Sequence, residues 1–479
     1  MGSKRWWVVY SFARKAVSRR RNLAKVGAMK PKPSPCEDLQ GDLFKFELQA
    51  IVDENHAMVK LARRVDWARL EETFGALYCD DNGAPGRSTR LMVALHYLKF
   101  TFDLSDEDVV AGWVENHYWQ ALSGMKHFEH RRPIDPSSMT YWRKRVGAAG
   151  AEAMLKETIE AGLALKAIKP SQLARVNVDT TVQEKHVRFP TDARLYNRAR
   201  ERLVKAAERR GIKLRQNYRR VGKRLLLQVN RYMHARQPKR AGRCRKKLRT
   251  ILGRVIRDID RKFPRPDGKL SNLMESAKSI HGQERRDKQK IYSVHEPRVA
   301  CIAKGKAHKR YEFGAKVSVA ATSRGGWLVG ALAMRGNPYD GHALGVTLAQ
   351  VERLARAPQH AFVDRGYRGH GYEGPVQVHV DRPRRGKLAA RLWRWMKRRA
   401  AIEPGIGHLK QEHRMDRCRL WDAEGDAFNA IASAAGMNFR KLLAHAAVFH
   451  YLLLRLAQIT SRKRMPLVHP SSALIGWAA

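Results

Sequence analysis

Two short segments far apart in the chain constrain its fold more than any other feature. LARVNVDTTVQ, residues 173–183, alternates apolar and polar side chains like a strand and carries Asp179; QHAFVD, residues 359–364, reads as a short buried strand closing at Asp364. Each aspartate is placed at the carboxyl end of its strand, where ligand sites of α/β sheets lie. Further strand signals surround the second segment. EFGAKVSVAAT and GWLVGALAMR form a hairpin through the turn SRGG, and VQVHVD is another strand. DGHALGVTLAQVERLARAP is a helix ended by Pro358, and a basic helical region, 386–415, carries Glu403. The order strand, basic insertion, strand, strand, helix, strand, strand, helix predicts an α/β fold.

The insertion sits between the first and second strands. Residues 196–263 hold 25 Lys/Arg against 4 acids, with Leu225, Leu226, Leu227 and Val229, then Leu248, Ile251, Leu252, Val255 and Ile256, at helical intervals. Two or three long amphipathic helices are expected, followed by a loop over 264–311. So one-sided a charge suits an arm that tracks phosphates; a solvated helical hairpin is the bland alternative.

Residues 38–160 read as helices. Ser105 caps one whose first turn carries Asp106, Glu107 and Asp108. In DPSSMTYWRKRVG, Ser137 or Ser138 is the expected cap of a helix bearing Arg143, Lys144 and Arg145. Short helices and a final basic-aromatic helix suit a helix-turn-helix-like DNA reader, and equally a small bundle with a basic face.

The whole chain has 94 Lys/Arg against 45 Asp/Glu, a formal charge of +49 over 479 residues. That surplus points to a polyanion, with nucleic acid the usual one, although a basic protein without chemistry shares the composition. Five scattered cysteines give neither a disulfide framework nor a zinc ribbon and fit a reducing, cytoplasmic compartment. No apolar run approaches the ~18–20 residues of a membrane span. Residues 1–37 are read as a basic leader outside the fold, with Met29 the expected start.

Three acids, Asp179, Asp364 and Glu403, are then candidates to converge. Carboxylates crowded together need counter-charge, which magnesium supplies. Two such ions roughly 3.5–4 Å apart clamp a phosphodiester. Arg399 and Lys410 return to the same helical face as Glu403, where they would meet phosphate, and Pro404 requires that the helix begin near Ala400 or Ala401. Thr180, Thr181 and Glu184 beside the first aspartate, Asp192, His342 and His408 are weaker candidates. No phosphate-binding GxxxxGK[ST] loop or serine elbow is present.

VNVDTTVQEKHVRFPTDARLY, GNPYDGHAL, HAFVDRGYRGH and RRAAIEPGIGHLKQEHRM resemble the DDE transposases of bacterial insertion sequences, in particular the group of insertion sequence five, allied to insertion sequence four. STRLMVALHYLKFTFDLSDEDVV, ENHYWQALSG and PIDPSSMTYWRKRVG resemble that group's N-terminal domain, so the likeness runs from about residue 40 to 445. The resemblance implies an RNase H-like core whose Asp179, Asp364 and Glu403 bind two Mg²⁺ ions, with Mn²⁺ substituting. The family's Tyr, Arg, Glu, Lys series is met by Arg399, Glu403 and Lys410, but Met396, beside Trp395, stands at the tyrosine position.

The expected organisation is a helical DNA-end-binding domain over 38–160, a catalytic core over 172–195 and 309–445, the basic insertion 196–308 and a tail 446–479. The expected activity is cleavage at terminal inverted repeats and joining of the 3′-hydroxyl to target DNA by a homodimer or higher oligomer in the bacterial nucleoid. A nuclease of the same fold without strand transfer and a catalytically retired DNA-binding regulator are the alternatives.

Overall fold

A computed structural model of the chain describes residues 29–30, 47–79, 86–284, 286–287, 289–303, 310–382 and 389–462, with side chains as far as residue 448. The chain divides into two units. One reaches Val146 and adds Ala153–Pro170 and the chain from Ala435; the other comprises Gly147–Glu152 and Ser171–Ala434.

The second unit is built on a seven-stranded sheet. Strands β1 (Arg175–Lys185), β2 (Ala300–Ala303), β3 (Tyr311–Thr322), β4 (Leu328–Met334), β5 (His360–Val363), β6 (Gln377–Val380) and β7 (Arg417–Cys418) follow in chain order. β1 is antiparallel to β3 along most of its length, and β3 pairs with both β2 and β4. On its other side β1 runs parallel to β5, and β5 parallel to β6. The lateral path β4-β3-β1-β5-β6 sets three antiparallel strands beside two parallel ones; along the chain the strands follow the order read from the sequence, with β2 and β7 in addition. Val176, Val178 and Val182 of β1 are completely buried, each stabilising the sheet by roughly 1.5–3 kcal/mol. At Gly314 a side chain is impossible, because a Cβ there would stand 1.9 Å from the carbonyl oxygen of Gln183 on β1.

The helix Asp340–Leu354 packs on β3 and β4 through Leu344, Leu348 and Val351. Gln350 binds it to the sheet by accepting from the Ala331 N–H at 2.9 Å.

Between β1 and β2 lie the helices Asp192–Glu208, Arg219–His234, Pro238–Lys262 and Gly268–Gly282. They share a core of their own, including Leu203, Leu248, Leu252, Ile259, Leu270 and Ile280. Two parts of the expected 264–311 loop are regular structure. Leu270, Met274, Ala277 and Ile280 recur at helical spacing and drive the fourth helix into this core, and Ala300–Ala303 extends the sheet beside β3.

The described elements of the first unit are mainly helices: Leu48–Ile51, Ala57–Ala62, Trp67–Gly75, Thr89–Thr101, Asp106–Glu115, His117–Leu122 and much of Pro136–Ala164. Ser105 makes a capping box with Asp108. The cap of Pro136–Ala164 is Asp135, whose carboxylate accepts from the Ser137 N–H, with Pro136 at the first helical position; neither expected serine serves. That helix breaks at Gly147, where φ is 60°.

The boundary expected at 445 also moves. Helix Asp422–Arg462 is continuous, and from Ala435 it belongs to the first unit, where Phe439 stacks on Tyr97 with ring centroids 4.8 Å apart. Of the expected leader, Met29 and Lys30 are part of the fold: the Lys30 N–H donates to Cys79 O and the Gly86 N–H to Met29 O. Residues 1–28 and 463–479 lie outside the described residues.

Candidate active site

The parallel register of β1 and β5 pairs Asn177 with Phe362. Two residues further along stand Asp179, within β1, and Asp364, just past the end of β5. Asp179 is not at the end of its own strand, since β1 continues to Lys185 against β3. It is β5 that ends there, and the last parallel pairs leave the two acids where the strands part.

Asp364 caps the short turn Arg365–Tyr367 and accepts from the Gly366 N–H at 3.0 Å. Its carboxyl is held above the usual range, first by burial and then by the neighbouring Asp340 and Asp381 carboxylates. The Arg399 guanidinium and the Gly366 N–H offset part of that. Asp340 opens the helix on β3 and β4; its Oδ1 accepts from Thr180 Oγ1 at 2.8 Å and pairs with Lys316 Nζ at 2.6 Å. Tyr367 is fully buried, with its hydroxyl toward Ser318. Its phenol is pushed far above the usual range by burial, then by Asp179, Asp340 and Asp364. Three carboxylates therefore act on this one phenol.

Glu403 arrives on the helix Ile402–Glu412, which packs against β1. Pro404 lies in its first turn, where a missing N–H costs nothing. The turn Arg398–Ala401 in front of it is tied to the sheet. Asn177 Nδ2 donates to Arg398 O at 3.2 Å, Ser323 Oγ donates to Asn177 Oδ1 at 2.7 Å, and Arg398 Nε donates to Ser323 O at 3.3 Å. Ile402 and Leu409 are buried, which leaves the Glu403 side chain 63% exposed with Arg399 Nη2 3.8 Å from its carboxylate. The same guanidinium also acts electrostatically on Asp364. Met396, at the expected tyrosine position, is buried, and Arg175 stacks on Trp395 at 4.9 Å.

Residues 46–145 match a transposase domain (DUF772), and residues 254–438 match a transposase DDE domain, which includes Asp364 and Glu403. An uncharacterized protein, ORF8 in the nfe locus of Rhizobium meliloti, is 50% identical over 206 residues, 43% of this chain and 99% of that protein. The chain belongs to the DDE transposases. No solved structure matches it. The DDE domain implies an RNase H-like core, an enzyme of DNA transposition and DNA as the partner. Among the described residues no helix of this transposase is long and apolar enough to cross a membrane.

DDE transposases generally use divalent metal ions. Among the described residues no three His, Cys, Asp or Glu side chains are gathered as a metal-binding group. The donor chemistry nonetheless fits a hard divalent cation. A Cβ on Gly366 would stand 3.1 Å from Asp364 Oδ1 and 3.3 Å from Asp340 Oδ2, so a glycine keeps open the space these oxygens face.

The other expected residues are differently placed. Arg143 does not present itself to DNA. It is 6% exposed, and its guanidinium grips Asp106 at 2.8 and 2.6 Å, which Lys99 also reaches at 2.6 Å. A buried pair of this kind holds helices together. Lys144 is exposed, Arg145 lies over the Tyr78 ring at 4.5 Å, and Lys410 is half-buried in the last turn of its helix. His342 is exposed and His408 pairs with Glu412. Asp192 starts a helix of the insertion.

Asp340 and Asp381 join the acids of this site without having been singled out by the sequence pattern, although DGHAL and VQVHVD carry them. The signal that marks them is positional: each is an acid where an element of the sheet layer begins or ends.

Proposed function

We propose that this transposase, of the insertion sequence five group, binds the terminal inverted repeats of its element, cleaves at their ends and joins the freed 3′-hydroxyl to target DNA. Asp179, Asp364 and Glu403 are the catalytic carboxylates. The observation that supports this reading is the β1–β5 register, whose last pair lies two residues before both Asp179 and Asp364, with the turn that leads into the Glu403 helix tied to β1 through Asn177.

Asp179 and Asp364 would hold the divalent ions, Mg²⁺ or Mn²⁺, with Glu403 completing the set. Bound there, the ions supply positive charge for the in-line displacement at phosphorus. The chain's own residues do the rest. Arg399, 3.8 Å from Glu403 and acting on Asp364, offsets the charge of the acids and would meet a phosphate oxygen. Lys410 adds charge one helical stretch away. The fixed sheet holds these groups in position, which lowers the barrier by orientation rather than by covalent chemistry. Lys144 and Arg145 contribute to DNA binding on the helical unit. Two ends must be held at once, so a homodimer or larger oligomer acts on DNA in the bacterial nucleoid.

The test is a plasmid integration assay with purified protein, an end-containing oligonucleotide and Mg²⁺. The expected result is cleavage at the end followed by joined product in the plasmid. Cleavage without any joined product would favour a nuclease of the same fold, and binding without cleavage a retired regulator.

A further inference from the structure

We infer that Asp340 is a fourth carboxylate of the divalent-cation site. This rests on the proposed reading of Asp179, Asp364 and Glu403 and adds to it a residue at the start of the helix that follows β4.

The two oxygens of Asp340 have different work. Oδ1 is fully occupied by Thr180 Oγ1 at 2.8 Å and Lys316 Nζ at 2.6 Å. Lys316 is itself 6% exposed and anchored by donating to Pro338 O at 2.8 Å. The carboxylate is therefore fixed in orientation from two strands, β1 through Thr180 and β3 through Lys316. Oδ2 lies beside Gly366, 3.3 Å from where a Cβ there would stand, and Asp364 Oδ1 lies 3.1 Å from the same point. Thr180 is the neighbour of Asp179 in the chain, and its N–H donates to Asp179 Oδ1 at 2.7 Å. One threonine thus positions both acids, its N–H holding Asp179 and its hydroxyl holding Asp340.

A salt bridge that only tied the helix to the sheet would account for Oδ1. It would not account for a second oxygen set beside another carboxylate at a glycine, where Arg399 and the Gly366 N–H offset only part of the crowding and a cation joining the two would relieve the rest. Lys316 alone cannot do so, since it binds the far oxygen. A hard cation that accepts Oδ2 of Asp340 together with Asp364 relieves the repulsion and leaves the lysine pair intact.

The test compares the full-length protein with Asp340→Asn and Asp179→Asn, using Mn²⁺ alone as probe and electron paramagnetic resonance to count bound ion. Thermal unfolding runs alongside. The expected result is a tenfold or greater loss of Mn²⁺ affinity in Asp340→Asn with a Tm within a few degrees of the parent. Mn²⁺ affinity unchanged in Asp340→Asn but lost in Asp179→Asn would overturn this inference and spare the wider reading. No Mn²⁺ binding by the parent protein would overturn both. Should Asp340→Asn fail to fold, the parent protein is loaded with Fe²⁺ and exposed to ascorbate and peroxide, and its backbone fragments are mapped. Cuts near residues 340 and 364 support the site, and cuts near 364 without any near 340 overturn it.

Discussion

At the scale of single residues, the site depends on two small features, a glycine and an arginine. Gly366 leaves room between Asp340 and Asp364, so Gly366→Ala should cut end cleavage and Mn²⁺ affinity at least tenfold while moving Tm little; a kinetic assay beside a melting curve reads both. Arg143, by contrast, belongs to stability. Removing it as Arg143→Met leaves Asp106 buried beside Lys99 without its main partner and should cost about 3 kcal/mol in denaturant unfolding. The same cluster fixes a pH response. Burial, then Arg143, holds His96 down at about 3 from its ordinary 6.5, so below pH 6.5 the unfolded chain takes a proton that the folded chain refuses. Stability therefore falls with pH across that window, by up to about 1.4 kcal/mol per unit. Asp106 acts in the same direction lower down. Although burial opposes it, the Arg143 and Lys99 cations hold its carboxyl below the ordinary 3.8, and its stabilisation is lost as pH falls beneath that value. His96→Gln should flatten the decline between pH 6.5 and 4, and an unchanged slope would remove His96 as its source.

At the scale of elements, what could be read from the sequence was what a local pattern determines. Alternation in VNVDTTVQ, the SRGG hairpin and the apolar run HAFV gave the strands, and Ser105 with three following acids gave a helix start. The position of Asp179 within its strand was not legible, because it depends on where β5 stops pairing with β1, a non-local fact. Nor was the burial of Arg143, since its partner Asp106 lies on another helix. The helix Gly268–Gly282 escaped because its polar residues dilute an apolar stripe that only its packing against the insertion core reveals. The close approach of β3 to β1 yields a clear prediction. Gly314→Ala puts a methyl group into the Gln183 carbonyl and should destabilise the sheet unit by more than about 3 kcal/mol in chemical denaturation; a neutral outcome would mean that the strands part there.

At the scale of the whole molecule, a charge of +49 and a helical insertion carrying 25 basic residues against 4 acids suit a DNA track rather than a core. The insertion stands on its own hydrophobic cluster, which leaves Arg243, Lys246 and Lys247 exposed on one helix. Replacing these three by Gln should weaken DNA binding and make its salt dependence shallower, by as much as ~0.9 in log–log slope for each phosphate no longer neutralised. An unchanged slope would take that helix off the DNA. The account as a whole turns on whether three acids from distant parts of the chain act as one set on a phosphodiester. The direct measurement is end cleavage of an oligonucleotide in Mg²⁺ by Asp179→Asn, Asp364→Asn and Glu403→Gln, each with DNA affinity measured in parallel. At least a hundredfold loss of cleavage is expected in every variant at nearly unchanged affinity. Parent-level cleavage by any one of them would contradict a joint role for the three acids.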